Sequence, residues 1–290
     1  MYNDATTATA STAPINRFAE IDGLKLHYLD WGGDPQRHTI LLVHGGSAHA
    51  HWWDYVAPQL AAFGRVLALD FRGHGRSEWA RPARYGLEVY LRELAGFIRY
   101  LKTRVILIGH SMGGHVAQLV AEDHPDLLEG LIAIDSPPNG PPFMTRLQWR
   151  WKRRRQGGPR PEFPSSRDLI KRFRLSPPGH ALTQPMIEEL ALKGSEQLPN
   201  GNWAFRFDPE TRVPRTTMRA MRRPRLRRIQ LPVLVLRGAE SALMHRSAAI
   251  KMHRRLPNAR LKEIEGAYHH VPLDQPAATV AAIADFIREL

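Results

Sequence analysis

The 290-residue chain contains no cysteine. Disulfides, thiolate metal sites and cysteine nucleophiles are therefore excluded. No apolar run approaches the roughly 18 residues that a membrane-crossing helix needs, so no membrane span is expected. Residues 1–14 are rich in Thr and Ala but lack the basic start and apolar centre of a secretory signal. The expectation is a disordered tail and a cytoplasmic protein. No internal repeat is apparent, which argues against a solenoid. Acidic residues are scarce in one place. The formal net charge is +13, and the segment 138–230 holds 21 Lys+Arg against 7 Asp+Glu, whereas the remainder holds 20 against 21. Such asymmetry can signal nucleic acid, an anionic surface or acidic ligands. The segment lacks the regular aromatic–basic interleaving of a nucleic-acid platform, so a solvated Arg-rich surface is expected, with no nucleic-acid partner.

What is present is an alternation of strand-like and helix-like blocks. Residues 18–21 and 24–29 flank Asp22-Gly23 and read as a hairpin. Strands are expected at 39–43, 66–69, 104–108 and 127–134, and helices at 51–60, 87–101 and 111–123. From 136 to about 228 the rhythm breaks: prolines recur, basic residues dominate and only short helical patches appear. It resumes with strands at 233–236 and 259–264 and helices at 245–256 and 276–290. The pattern implies an α/β fold, a doubly wound, mostly parallel sheet interrupted once. The core would comprise 15–137 and 229–290, and 138–228 would form a helical cap. Ligands bind beyond the carboxyl ends of such strands, and those ends carry Gly46, Ser111, Asp135, Glu240 and His269.

Ser111 lies in Gly109-His110-Ser111-Met112-Gly113-Gly114, between the strand at 104–108 and an apolar-periodic stretch. A strand–turn–helix setting is what a nucleophile elbow requires. The turn is tight enough to strain its serine, which is tolerable only where neighbouring positions carry little side chain. A serine hydroxyl needs a base to take its proton, and imidazole suits neutral pH. Of 14 histidines, His269 stands out. It follows the strand at 259–264 and comes last in the order Ser…acid…His. His270 is its neighbour, and loop geometry alone does not separate the two. The developing oxyanion needs two donors. The Met112 N–H directly follows the nucleophile. The second is expected from Gly45-Gly46-Ser47, with Gly46 the first choice and Ser47 the second.

His44-Gly45-Gly46, the stretch from Asp70-Phe71-Arg72-Gly73 to His74-Gly75-Arg76-Ser77, the elbow, and Gly266-Ala267-Tyr268-His269 together resemble the successive signatures of the α/β-hydrolase superfamily. The resemblance spans about 18–290 apart from the cap. It implies an eight-stranded sheet, a helical cap, no cofactor, Ser111 as nucleophile, His269 as base, and Gly46 with Met112 as oxyanion hole. It gives the stretch from Asp70 to Ser77 a structural role below the site.

One departure concerns the acid. Relatives usually carry an aspartate in the loop after the strand at 233–236, but Arg237-Gly238-Ala239-Glu240-Ser241-Ala242-Leu243-Met244 holds none. Two carboxylates remain open. Glu240 sits in the expected loop, in an early register and one methylene longer. Asp135 ends the preceding strand, where a subset of the superfamily, some haloalkane dehalogenases included, places its acid; it is favoured. An acid fixes the imidazole tautomer and stabilises the imidazolium.

Among cap aromatics, Phe143, Met144, Trp149, Trp151, Phe163, Phe173, Trp203, Phe205 and Phe207 either line an acyl pocket or bury against the core. The leading expectation is a serine hydrolase, a carboxylesterase acting on a small-molecule ester. The alternatives are a C–C bond hydrolase or lactonase taking an anionic substrate, or a non-catalytic ligand-binding protein on the same fold. An aspartate nucleophile, as in dehalogenases and epoxide hydrolases, is disfavoured because the elbow carries Ser111.

Overall fold

The computed structural model describes residues 13–138, 159–212 and 223–290. The tail at 1–12 and the run Trp149-Arg150-Trp151-Lys152-Arg153-Arg154-Arg155, with Phe143 and Met144, lie outside the described residues. β1 (Ile15–Ile21) and β2 (Leu24–Gly32) form the expected antiparallel hairpin. It turns on Asp22 and Gly23 at φ of 50° and 71°, a geometry that Asp and Gly tolerate best. Then come β3 (His38–Val43), β4 (Gly64–Leu69), β5 (Val105–His110) and β6 (Leu128–Ile134). β7 (Ser195–Gln197) and β8 (Trp203–Phe205) pair with each other, and β9 (Val233–Gly238) and β10 (Ala259–Ile264) complete the set. Eight strands make one sheet in the order β1-β2-β4-β3-β5-β6-β9-β10, parallel from β4 through β10.

The central strands are apolar on both faces because both faces are covered. Leu41, Val43, Leu67, Leu69 and Leu107 point into one core. There they meet α2 (Leu87–Leu101), α3 (Met112–Asp123) and α6 (Arg246–His253) through Leu94, Val116 and Met252. The alternate residues Ile40, Leu42, Val66, Ala68 and Ile106 point into the other. That core is closed by α1 (Ala57–Leu60) and α8 (Pro276–Ile287) through Leu60, Ile283 and Phe286.

The helix expected at 51–60 is broken. A 3₁₀ turn occupies Ala50–Trp53, and α1 begins only at Ala57. Pro58 stands in its first turn, where the missing N–H costs nothing, but a continuous helix would have required that N–H to reach Asp54. The helix expected at 111–123 starts at Met112 because Ser111 sits at φ 53°, outside helical space. The C-terminal helix is preceded by one turn, α7 (Val271–Asp274).

Between β6 and β9 the described residues form α4 (Ser166–Arg172), α5 (Gln184–Lys193) and the β7–β8 hairpin. Leu175, Leu182 and Leu190 of this segment pack with Leu273, Trp52 and Tyr55. Phe163, Phe173 and Phe207 each pack on Phe205, at ring separations of 5.7, 6.0 and 6.1 Å. These aromatics therefore stabilise one another. Arg225, at the return to the sheet, binds Glu122. Among the described residues no helix is long and apolar enough to cross a membrane.

Candidate active site

The elbow is shaped by close approach. A Cβ at Gly109 would lie 2.6 Å from the Gly113 carbonyl oxygen, and one at Gly113 would lie 2.5 Å from the carbonyl oxygens of Val43 and His44. No side chain fits at either position. Ser111 takes φ 53°, ψ −116°, a strained conformation that needs support from its surroundings. Its N–H donates to Ile134 O (2.9 Å), and its carbonyl accepts the Ser136 hydroxyl (2.7 Å). Gln118 in turn donates to the Ser136 carbonyl (3.0 Å). Ser136 and Gln118 carry no motif, and only the fold reveals their part.

His269 Nε2 lies 3.0 Å from Ser111 Oγ, and its Nδ1 lies 2.6 Å from Asp135 Oδ2. With Nδ1–H donating to the carboxylate, Nε2 carries the lone pair that faces the serine hydroxyl. Asp135 is fully buried and adopts φ 45°. That turn at the end of β6 aims its carboxylate toward the loop bearing His269. Oδ2 also accepts the Ser241 hydroxyl (2.6 Å), and Oδ1 accepts the Gly238 N–H (3.2 Å). Glu240 has an exposed side chain, and its N–H donates to the Ala267 carbonyl (2.9 Å). The structure thus brings Ser111, His269 and Asp135 together and leaves the Glu240 carboxylate at the surface.

The residue before His269 is tethered through Asp274. Asp274 accepts the Tyr268 N–H (3.0 Å) and, from the segment between β6 and β9, the Ala181 N–H (2.7 Å). Burial raises its pKa. A Cβ at Gly238 would fall 2.0 Å from the Tyr268 carbonyl oxygen, so only glycine lets β9 pass beneath this loop.

Histidines crowd the site, and most are neutral. His44, pushed down to about 3 by burial and then by His74, donates Nδ1–H to Gly45 O (2.7 Å) and accepts the Phe71 N–H at Nε2 (3.1 Å). It pins the loop that carries Gly46. Neither Gly46 nor Met112 donates its backbone N–H to an acceptor among the described residues, and a Cβ on Gly46 would lie 3.8 Å from the Met112 sulfur. His110, held well below its usual value by burial and by His269, donates Nε2–H to the His269 carbonyl (2.8 Å). His270 is pushed down to about 3, by burial first and His269 second. It donates Nε2–H to Pro177 O (3.2 Å), whereas the bond to Ser111 Oγ comes from His269. Trp52 packs against both His110 and His270. His110, His269 and His270 each offer one ring nitrogen within 4.8 Å of the others, but both His269 nitrogens are already engaged by Ser111 and Asp135.

Below the site, Asp70 accepts from Ala50 N–H (2.6 Å), His27 Nδ1 (2.7 Å) and Arg76 N–H (3.0 Å). Burial, the largest single influence, would raise its pKa, but the bond and charge of His27, the charge of His44 and the Arg76 N–H together outweigh it and lower it. Gly75 is required here, since its Cβ would overlap the Asp70 carboxylate.

Residues 40–283 match the model of the alpha/beta hydrolase family. The chain belongs to that family. An esterase of Mycobacterium tuberculosis is 27% identical over 274 residues, covering 93% of this chain and 89% of that protein. The 2-(acetamidomethylene)succinate hydrolase of Mesorhizobium japonicum is 27% identical over 293 residues, covering 98% and 99%. The crystal structure of an E-2-(acetamidomethylene)succinate hydrolase superposes with a TM-score of 0.81 at 25% identity, over 95% of this chain and 99% of the other. The superposition shows that this solved hydrolase shares the fold of the chain, and the two sequence relatives are an esterase and a hydrolase.

Proposed function

We propose that the protein is a serine hydrolase that cleaves carboxylic esters through an acyl-enzyme. The observation that carries this reading is the continuous hydrogen-bonded line from Ser111 Oγ through His269 to Asp135, at 3.0 and 2.6 Å. Ser111 Oγ attacks the ester carbonyl carbon while His269 Nε2 takes its proton. The oxyanion settles against the N–H groups of Gly46 and Met112. Collapse breaks the bond to the alcohol oxygen, which leaves with the proton held by His269. Water then repeats the cycle on the acyl-serine. Asp135 keeps Nδ1 protonated and offsets the imidazolium charge. No step asks for a cofactor or metal.

The segment 138–228 acts in this reading as a cap. Its Leu190 carbonyl meets His49, its Pro177 carbonyl meets His270, and its Ala181 N–H meets Asp274, so it is moored to the loops that carry the site. A second reading is favoured by two observations: a relative spanning nearly the whole chain is a hydrolase of a succinate derivative, and the segment 138–230 here is strongly basic. An anionic substrate would then bind with a KM that rises with salt.

The test is hydrolysis of short-chain p-nitrophenyl esters together with fluorophosphonate labelling. Wild-type protein is expected to give a burst of nitrophenol and to label at Ser111. Ser111→Ala is expected to lose labelling and, by analogy with triad serines, about 10⁶ in kcat. Activity retained in that variant removes Ser111 as the nucleophile, and an unlabelled wild-type protein favours a non-catalytic binder.

A further inference from the structure

We infer that Ser241 is a positioning residue of the acid–base pair, a hydroxyl that holds Asp135 from the loop in which relatives usually carry the acid itself. This role rests on the triad reading above. Three observations carry it. Ser241 is buried, with 5% of its surface exposed, so its hydroxyl must be satisfied by protein. Its Oγ lies 2.6 Å from Asp135 Oδ2, the same oxygen that accepts His269 Nδ1–H. Its Oγ also accepts the N–H groups of Leu243 and Met244, each at 3.2 Å.

A hydroxyl has one hydrogen and two lone pairs. Both lone pairs of Ser241 face N–H donors, so its hydrogen has one acceptor left, the Asp135 carboxylate. The hydroxyl rotor is therefore fixed. The loop that fixes it is itself folded by backbone bonds: Ser241 N–H to Gly238 O (3.0 Å), Glu240 N–H to Ala267 O (2.9 Å) and Ala239 N–H to Ile264 O (3.0 Å). Asp135 consequently receives Gly238 N–H on one oxygen and Ser241 with His269 on the other. Sharing Oδ2 between two donors orients the carboxylate plane toward His269, and it draws electron density from the oxygen that faces the imidazole. The loop after β9 thus orients a charge that β6 supplies.

Two consequences separate this from a packing role. Removing the hydroxyl leaves Oδ2 more basic, so the His269 imidazolium is stabilised and the acid limb of kcat/KM moves to higher pH. It also frees the carboxylate to rotate, which lowers kcat and leaves KM alone. For Ser241→Ala we expect kcat to fall roughly 10- to 100-fold, the scale of one hydrogen bond to a charged group. KM should stay within about twofold and the limb should rise by roughly half a pH unit. Ser241→Thr, which keeps the donor, should return kcat to within about threefold of wild type and restore the limb. If Ser241→Ala does not fold, Ser241→Cys takes its place as a near-isosteric, weaker donor with the same expected directions.

Unchanged kcat in Ser241→Ala, a kcat loss with an unmoved limb, or a Ser241→Thr enzyme as impaired as Ser241→Ala each overturns the inference. Asp135→Asn measured alongside separates the two levels. A near-native Asp135→Asn enzyme overturns the triad reading itself. A crippled one beside an unaffected Ser241→Ala overturns only the role of Ser241.

Discussion

The two ends of the Ser111–His269–Asp135 line are built by opposite means. The serine end is made by exclusion: Gly109 and Gly113 leave no room for a Cβ, with backbone oxygens 2.6 and 2.5 Å from where it would stand. The shape that results is compact, made by six consecutive residues with β3 on one side and Ile134 and Ser136, at the end of β6, on the other. The acid end is made by convergence. Asp135 leaves β6, Gly238 and Ser241 come from β9 and its loop, and His269 follows β10. Steric necessity can be repeated in any sequence that needs the turn, whereas a convergent carboxylate can be supplied from any loop that reaches the same point. The serine end thus depends on the space that glycines leave, and the Asp135 end on the meeting of three strand ends at one carboxylate.

The sharpest way to break this comparison is at the acid. Asp135→Asn preserves the shape of the side chain, but its amide can donate where the carboxylate accepted. It either repels His269 Nδ1–H or imposes the tautomer with Nδ1 bare and Nε2 protonated, so the lone pair no longer faces Ser111. The expected loss is about 10⁴ in kcat, with KM little changed, measured with a p-nitrophenyl ester. A loss below tenfold would mean that the line from His269 to Asp135 does not carry the reaction.

That contrast also explains what could be read in the chain beforehand. The alternation of strands and helices was legible because the strands are buried on both faces and read as continuous apolar runs, such as Thr39 to Val43. The elbow was legible because its glycines and serine fall within six consecutive residues between a strand and a helix, although Gly113 is also held by the carbonyl oxygens of Val43 and His44. The acid stayed open between Asp135 and Glu240, since the deciding fact is how the loop after β9 folds back on Ile264 and Ala267. Ser241 has no such signature in the sequence. A loop serine carries no periodicity, charge or spacing, and only its place beside Asp135 gives it meaning. The helix at 51–60 misled because apolar spacing is blind to the hydrogen bond that Pro58 cannot make.

A smaller, second contrast concerns protons. His44 supports the serine side and His270 adjoins the base, and both are pushed down to about 3, while His49 is pushed down to about 4, burial being the main cause in each. They are neutral when folded and would take up a proton on unfolding below about pH 6.5. Stability is therefore intact above that pH and falls as the solution is acidified. Each histidine contributes a slope of roughly 1.4 kcal/mol per pH unit, down to its folded value. Urea unfolding followed by tryptophan fluorescence should show the midpoint dropping steadily between pH 6.5 and 4.5. His270→Gln should flatten that slope by one histidine's share and leave Ser111 labelling at pH 7.5 intact. A slope unchanged by the substitution would mean that His270 titrates normally in the folded protein.

The smallest expected effect is also the most discriminating between the two carboxylates. The Glu240 side chain is exposed, and the contact that ties this residue to the His269 loop is its backbone N–H on Ala267 O, which any side chain preserves. Glu240→Gln removes a charge from solvent, where screening is strong, and leaves the loop that presents Ser241 as it was. Its kcat should stay within about twofold of wild type and its stability within about 0.5 kcal/mol. The loop after β9 would then matter through Ser241 and Gly238, the two groups that face Asp135, and not through the carboxylate it carries. A loss exceeding tenfold in Glu240→Gln, with Asp135→Asn spared, would reverse the assignment and put the acid in the loop after β9.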